Sequence, residues 1–148
     1  MLIAVSISAL GWMIIAPSSV NRQLEEEKVF EVVFWEHLKN WTATRTNLTI
    51  SGANVPDAIM ERLGDIARPI ETGTLVTVSE PDYLTRDFTT GEKVIKCDIK
   101  SIEWVGPWTV HVEWLISDGF MGSTWGTYVL KKRMREWILT DKINVMVS

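Results

Sequence analysis

From Val94 to the end of the chain, apolar and polar residues alternate with a period of two, and this restricts the possible folds more than any other feature. Ile95, Cys97 and Ile99 alternate with Lys96, Asp98 and Lys100. Successive strand side chains point to opposite faces, so this pattern predicts a half-buried strand. Gly106-Pro107 is a turn signal. Val110, Val112, Trp114 and Ile116 then alternate with Thr109, His111 and Glu113 as a second strand. A loop over residues 118–123 leads to a third strand, Thr124 to Lys131. Lys132 to Glu136 turns, and Trp137-Ile138-Leu139-Thr140 returns as a fourth strand, extended by Ile143, Val145 and Val147. Short strands joined by turns predict an antiparallel meander.

Ahead of the meander the period is helical. Phe30, Val33, Phe34, His37, Leu38 and Trp41 recur at spacings of three and four, predicting a helix over Leu24 to Trp41 with one apolar stripe. Glu25, Glu26 and Glu27 fall in its expected first turn, where the helix dipole favours negative charge. Thr42 to Ile50 is rich in β-branched residues and reads as an irregular or edge strand. Val55-Pro56-Asp57 opens a second helix with Ile59, Met60, Leu63 and Ile66 on one face, and Arg68-Pro69 ends it. Residues 71–91 read as loop with a short strand from Leu75 to Val78. Helices first and meander second predict an α+β domain.

Residues 1–20 carry no charged side chain, so the net charge of −4 belongs wholly to residues 21–148. Leu2 to Ala16 is apolar on every face, Trp12 included, which excludes an amphipathic surface helix. Two readings stand. As a signal peptide the segment has the right length, but nothing basic precedes it, and Pro17 directly after Ala16 spoils the obvious cut. As a retained helical anchor, residues 1–20 would span roughly 30 Å, the hydrocarbon thickness of a bilayer. The anchor is the favoured reading. The chain then divides into an apolar signal-anchor or signal peptide, 1–20, and a single α+β domain, 21–148, facing the periplasm or exterior, or free there after cleavage.

The order helix, helix, then a long meander closing on Leu130-Lys131-Lys132-Arg133-Met134-Arg135-Glu136-Trp137-Ile138-Leu139 resembles the NTF2-like, cystatin-like class of α+β domains. Relatives often carry a glycine in that turn, and this chain does not. Val55-Pro56 with Leu63, and the turn from Asp87 to Gly91-Glu92, also resemble a group of uncharacterised exported bacterial proteins. The resemblance covers residues 45–148. It implies two helices packed on a curved antiparallel sheet, and the apolar segment 1–20 adds an N-terminal helix ahead of them. It implies no activity, because that fold hosts enzymes, binding modules and scaffolds alike.

The residues offer little chemistry. One cysteine, Cys97, excludes an intramolecular disulfide and a Cys-rich zinc site. Two histidines carry no Ser/His/Asp arrangement and no metal ligand set. His37 falls on the apolar helix stripe, as a core-edge histidine. His111 and Glu113 share the polar face of one strand and read as exposed. No glycine-rich phosphate loop is present, so no cofactor and no metal are expected. The acidic balance disfavours nucleic acid, and the run Lys131, Lys132, Arg133, Arg135 reads as a solvated turn.

Eight tryptophans are the informative surplus. Trp114 shares a face with Val110, Val112 and Ile116 and belongs in the core. Trp108, Phe120, Met121 and Trp125 read as a contact surface near a loop end, since Trp and Met are enriched in interface cores. Two functions fit these residues. One is a non-enzymatic, membrane-associated accessory domain that presents a sheet face to a protein partner. The other is a pocket domain, binding a small apolar ligand or acting as a minor enzyme, with His37 as its deep polar group.

Overall fold

The computed structural model describes residues 19–39, 45–64, 75–77, 85–119 and 122–148. Two helices, α1 (Ser19–Leu38) and α2 (Asp57–Leu63), pack with a six-stranded sheet. Its strands are β1 (Arg45–Ile50), β2 (Ala53–Asn54), β5 (Val94–Gly106), β6 (Thr109–Gly119), β7 (Gly122–Arg133) and β8 (Glu136–Val147). They lie in the order β2-β1-β5-β6-β7-β8. A separate two-stranded ribbon joins β3 (Leu75–Thr77) to β4 (Thr85–Asp87). The α+β class holds.

The meander is antiparallel from β5 to β8, as the period-two pattern predicts. The sheet as a whole is mixed, which corrects the wholly antiparallel expectation. β1 pairs parallel to β5, Arg45 opposite Val94 through Ile50 opposite Ile99. On its other side the short β2 pairs only with Thr49 and Ile50, so β1 is next to last in the sheet order. Residues 46–49 are buried on both faces, the usual condition of a strand in a parallel pair.

Other boundaries also move. α1 reaches back past Leu24 to Ser19, the first described residue, because nothing in Ser19-Val20-Asn21-Arg22-Gln23 breaks a helix. The three glutamates therefore lie in its second and third turns and do not serve the helix terminus. α2 stops at Leu63, where Gly64 takes φ +54°, a conformation in which a side chain is strained. The turn between β7 and β8 shrinks to Met134 and Arg135, with Arg133 paired to Glu136. Ladder irregularities interrupt β5 between Ile99 and Ser101, and β8 opposite Trp125/Thr127 and opposite Val129/Leu130. Such bulges bend the strand that carries them.

One face of the sheet, here the inner face, carries α1. Val29, Val33, Phe34 and Leu38 of α1 and Ile59 and Leu63 of α2 are buried there with Leu48, Ile99, Val110, Val112 and Leu130. Polar bonds set the helix direction. Glu25 reaches Trp137 and Glu36 reaches Lys142. The helical step between these glutamates rises about 16 Å, and the bulged strand from Trp137 to Lys142, which spans four residues of β7, advances about 13 Å in the same direction. α1 therefore lies along β8 and runs parallel to it.

Candidate functional site

The inner and outer faces of the sheet each assemble one group of side chains with chemical interest. On the inner face, the last turn of α1 places His37 against β6 and β7. Its ring lies 4.6 Å from the Trp114 ring and 5.0 Å from the Tyr128 ring, centroid to centroid, and the Trp114 and Tyr128 rings are 5.0 Å apart. The three form one buried aromatic cluster. The Tyr128 hydroxyl sits 3.4 Å from His37 Nδ1. Among the described residues, His37 Nε2 and Trp114 Nε1 are buried with no hydrogen-bond partner. Burial lowers the His37 pKa to about 4; the charge of Glu36 opposes the shift and that of Lys142 adds to it. The same burial, with the charge of Glu36, raises the Tyr128 hydroxyl. At neutral pH both groups are uncharged.

Beside this cluster, α1 is tied down by tryptophan N–H groups. Trp137 Nε1 donates to Glu25 at 2.8 Å, and Trp104 Nε1 donates to Glu26 at 2.7 Å. Lys132 approaches Glu25 at 2.7 Å and Lys28 at 3.0 Å. Burial pulls the Glu25 carboxyl up, but bonds from Lys132, Lys28 and Trp137 outweigh it and hold the group below its usual value. The Trp104 and Trp137 rings meet edge-on at 5.7 Å, and the Arg22 guanidinium lies 4.9 Å from the Trp104 ring. An indole inside a protein needs an acceptor, and these two find theirs on α1. Much of the tryptophan surplus is thus structural.

The outer face carries a groove of about 490 Å³ over β6, β7 and β8, floored by Leu115, Trp125 and Met146 and flanked by Lys100, Glu113 and Asn144. Leu115 pairs with Trp125 and Trp125 with Met146, so the three apolar side chains form one cross-strand row. Gly126 explains how β8 fits here. A Cβ at that position would lie 3.1 Å from both Trp114 Cζ2 and Val145 Cγ2. Val145 occupies the space a side chain would take, while Asn144, at φ +53°, bulges toward the groove. Val145, Met146 and Val147 are exposed on β8, an edge strand.

The expected contact residues separate. Trp125 lies in the outer groove. Trp108 sits at the opposite end of the sheet, in the β5–β6 turn, where its carbonyl accepts the Lys132 N–H at 3.0 Å and the Lys132 ammonium lies 4.5 Å from its ring. The seven strand residues from Trp125 to Lys132 put the two tryptophans about 23 Å apart. His37 lies on the inner face, away from both. Phe120 and Met121 lie outside the described residues, as do Leu2, Trp12 and Ala16 of the apolar segment. Among the described residues no helix is long and apolar enough to cross a membrane, and no three His, Cys, Asp or Glu side chains converge as metal ligands. His111 and Glu113 share the outer face as expected, and Glu113 accepts a bond from Ser101 at 2.8 Å. Cys97 is buried, and burial followed by the Asp98 charge pushes its thiol up.

Leu115, Met146 and Tyr128 were not singled out in the sequence. Parity along β6 and β7 places Leu115 opposite Trp114 and Tyr128 level with Leu130, a usable signal. No local signal joins Met146 to Trp125. Compared with family models, curated proteins and solved structures, the chain matches none.

Proposed function

We propose that this chain is a non-enzymatic accessory domain, anchored in a membrane through residues 1–20, that presents the outer face of its sheet to a protein partner. The row Leu115–Trp125–Met146 in the open groove carries this reading. It supplies the large, partly desolvated aromatic and methionine anchors on which protein contacts concentrate. The helices packed on one face of a sheet with bulged strands support the NTF2-like, cystatin-like reading of the fold. The domain faces the periplasm or exterior, or is released there if the segment is cut.

A photo-crosslinker at Asn144, beside the groove, tests the reading in native membranes, with Asp141 on the same strand as the control. A discrete adduct from position 144 that Trp125→Ala abolishes is expected. Equal labelling from both positions, or none, sinks it. The intact mass of the membrane-extracted chain tests the anchor: loss of residues 1–20 makes the domain a free exported one.

The buried, unpartnered His37 Nε2 and Trp114 Nε1 favour a second reading, a pocket that takes a small, mostly apolar ligand. Two observations weigh against it. Phe34, Val33 and Leu38 fill the inner face beside His37. A histidine with a pKa near 4 is also a weak base at neutral pH, poorly matched to acid–base catalysis. Shifts of the His37 ring resonances on titration with small aromatic ligands would favour the pocket.

A further inference from the structure

The end of the sheet formed by the β5–β6 and β7–β8 turns breaks a local rule. The β7–β8 turn is a two-residue hairpin whose first position, Met134, has φ +57° and is fully exposed. Glycine or asparagine suits that conformation, and a methionine there costs both backbone strain and exposed apolar area. Lys131, Arg133 and Arg135 surround it, exposed and without an ion pair among the described residues; Glu136 is the acidic member of the turn. Lys132, by contrast, turns inward to Glu25. Val105, near the end of β5, is also exposed. An otherwise acidic domain thus concentrates free cations around an apolar tip.

The first described turn of α1 lies at this same end. Glu25 is level with Lys132 and Trp137, and Arg22 lies against Trp104. From Glu25 back to Ser19 the helix rises about 9 Å, and from Lys132 to Met134 the strand advances about 7 Å. Ser19, the first described residue of α1, and the hairpin tip therefore lie at nearly one level. In the chain, the uncharged residues 1–18 precede Ser19.

We infer that this end of the domain is a membrane-docking surface: Met134 enters the interface of the bilayer while Lys131, Arg133, Arg135 and Arg22 contact anionic lipid headgroups. An apolar wedge ringed by cations is what an anionic bilayer surface takes up, and headgroup contact accommodates the exposure that water penalises. The inference rests on the anchor reading, since residues 1–18 hold the domain at the membrane and the tip then fixes its orientation. The outer groove, about 23 Å along the sheet from this end, is left clear of the lipid.

The test places a nitroxide at position 134 through Met134→Cys, with Asp141→Cys as the control; the buried Cys97 is not labelled in the folded protein. The full chain is reconstituted into phosphatidylcholine vesicles with and without phosphatidylglycerol. Flotation reads anchoring, and relaxation by lipid-soluble oxygen against a water-soluble nickel chelate reads the label's depth. Oxygen is expected to dominate at 134, and nickel at 141, in the anionic vesicles. Replacing Lys131, Arg133 and Arg135 by Gln should lower the docked-to-undocked ratio by on the order of 100-fold, from the contribution of each cation near an anionic surface. A chain that floats while its position-134 label stays as open to nickel as position 141 overturns docking and leaves anchoring intact. A chain that does not float overturns both. Equal immersion without phosphatidylglycerol overturns the anionic preference.

Discussion

The Glu25 carboxylate accepts the Trp137 indole N–H at 2.8 Å and so joins the second turn of α1 to the first residues of β8 across most of the chain. Lys132 and Lys28 share the same carboxylate. Hydrogen bonds to a charged partner contribute about 1.5–3 kcal/mol each, and removing the acceptor strands a buried donor. Glu25→Ala is therefore expected to lower the unfolding free energy by about 2–3 kcal/mol in urea titrations. Glu25→Gln should fall between the two, since it keeps an acceptor for Trp137 and loses the Lys132 charge pair. A loss below about 0.5 kcal/mol for the alanine variant would contradict the role given to this bond.

Gly126 is required by packing. An alanine Cβ would press on the Trp114 ring and on Val145 at 3.1 Å. Gly126→Ala should cost about 1–3 kcal/mol, the range for overpacking a filled core. Val145→Ala removes the Val145 Cγ2 contact and leaves the Trp114 ring at 3.1 Å and the Val145 Cα at 3.3 Å, so the double variant should lose less than the sum of the single ones while keeping part of the cost. Strict additivity in that cycle would place the strain elsewhere.

His37 makes the fold sensitive to acid. Its pKa is about 4 in the folded chain, below an unfolded value near 6.5. The unfolded state therefore binds the extra proton between these values, and stability is present above pH 6.5 and lost as the pH falls toward 4. Linkage gives a loss of roughly 2 kcal/mol between pH 7 and pH 5. His37→Phe should flatten the profile over that window. Glu25 and Glu36, both held below their usual values, continue the loss at lower pH. If the phenylalanine variant keeps the same slope between pH 7 and 5, another group is responsible.

At the hairpin tip, Met134→Gly relieves the positive-φ conformation and should stabilise the folded domain by about 1 kcal/mol. A gain in unfolding free energy, paired with weaker immersion in anionic vesicles, would mark Met134 as kept for the membrane rather than for the fold. No gain in stability would show that the turn already accommodates the side chain.

The sequence by itself determined the elements whose signal is local. Alternation located β5 to β8 and the face that holds Val110, Val112 and Trp114, and the three-four spacing located Val33, Phe34, His37 and Leu38 on the buried stripe of α1. Neighbouring residues share one environment, so periodicity records it. The tertiary structure alone decided what depends on residues far apart. Nothing near Arg45–Ile50 announces a parallel partner 49 residues away, or the short β2 that pairs with Thr49 and Ile50 on the other side. The tryptophans show the same division. Their number suggests a surface, yet Trp104 and Trp137 are bound to glutamates of α1, Trp114 is buried beside His37, and Trp108 and Trp125 stand at opposite ends of the sheet. Parity assigns each side chain a face, but register and helix placement, set by contacts closed across the whole chain, determine which of them meet.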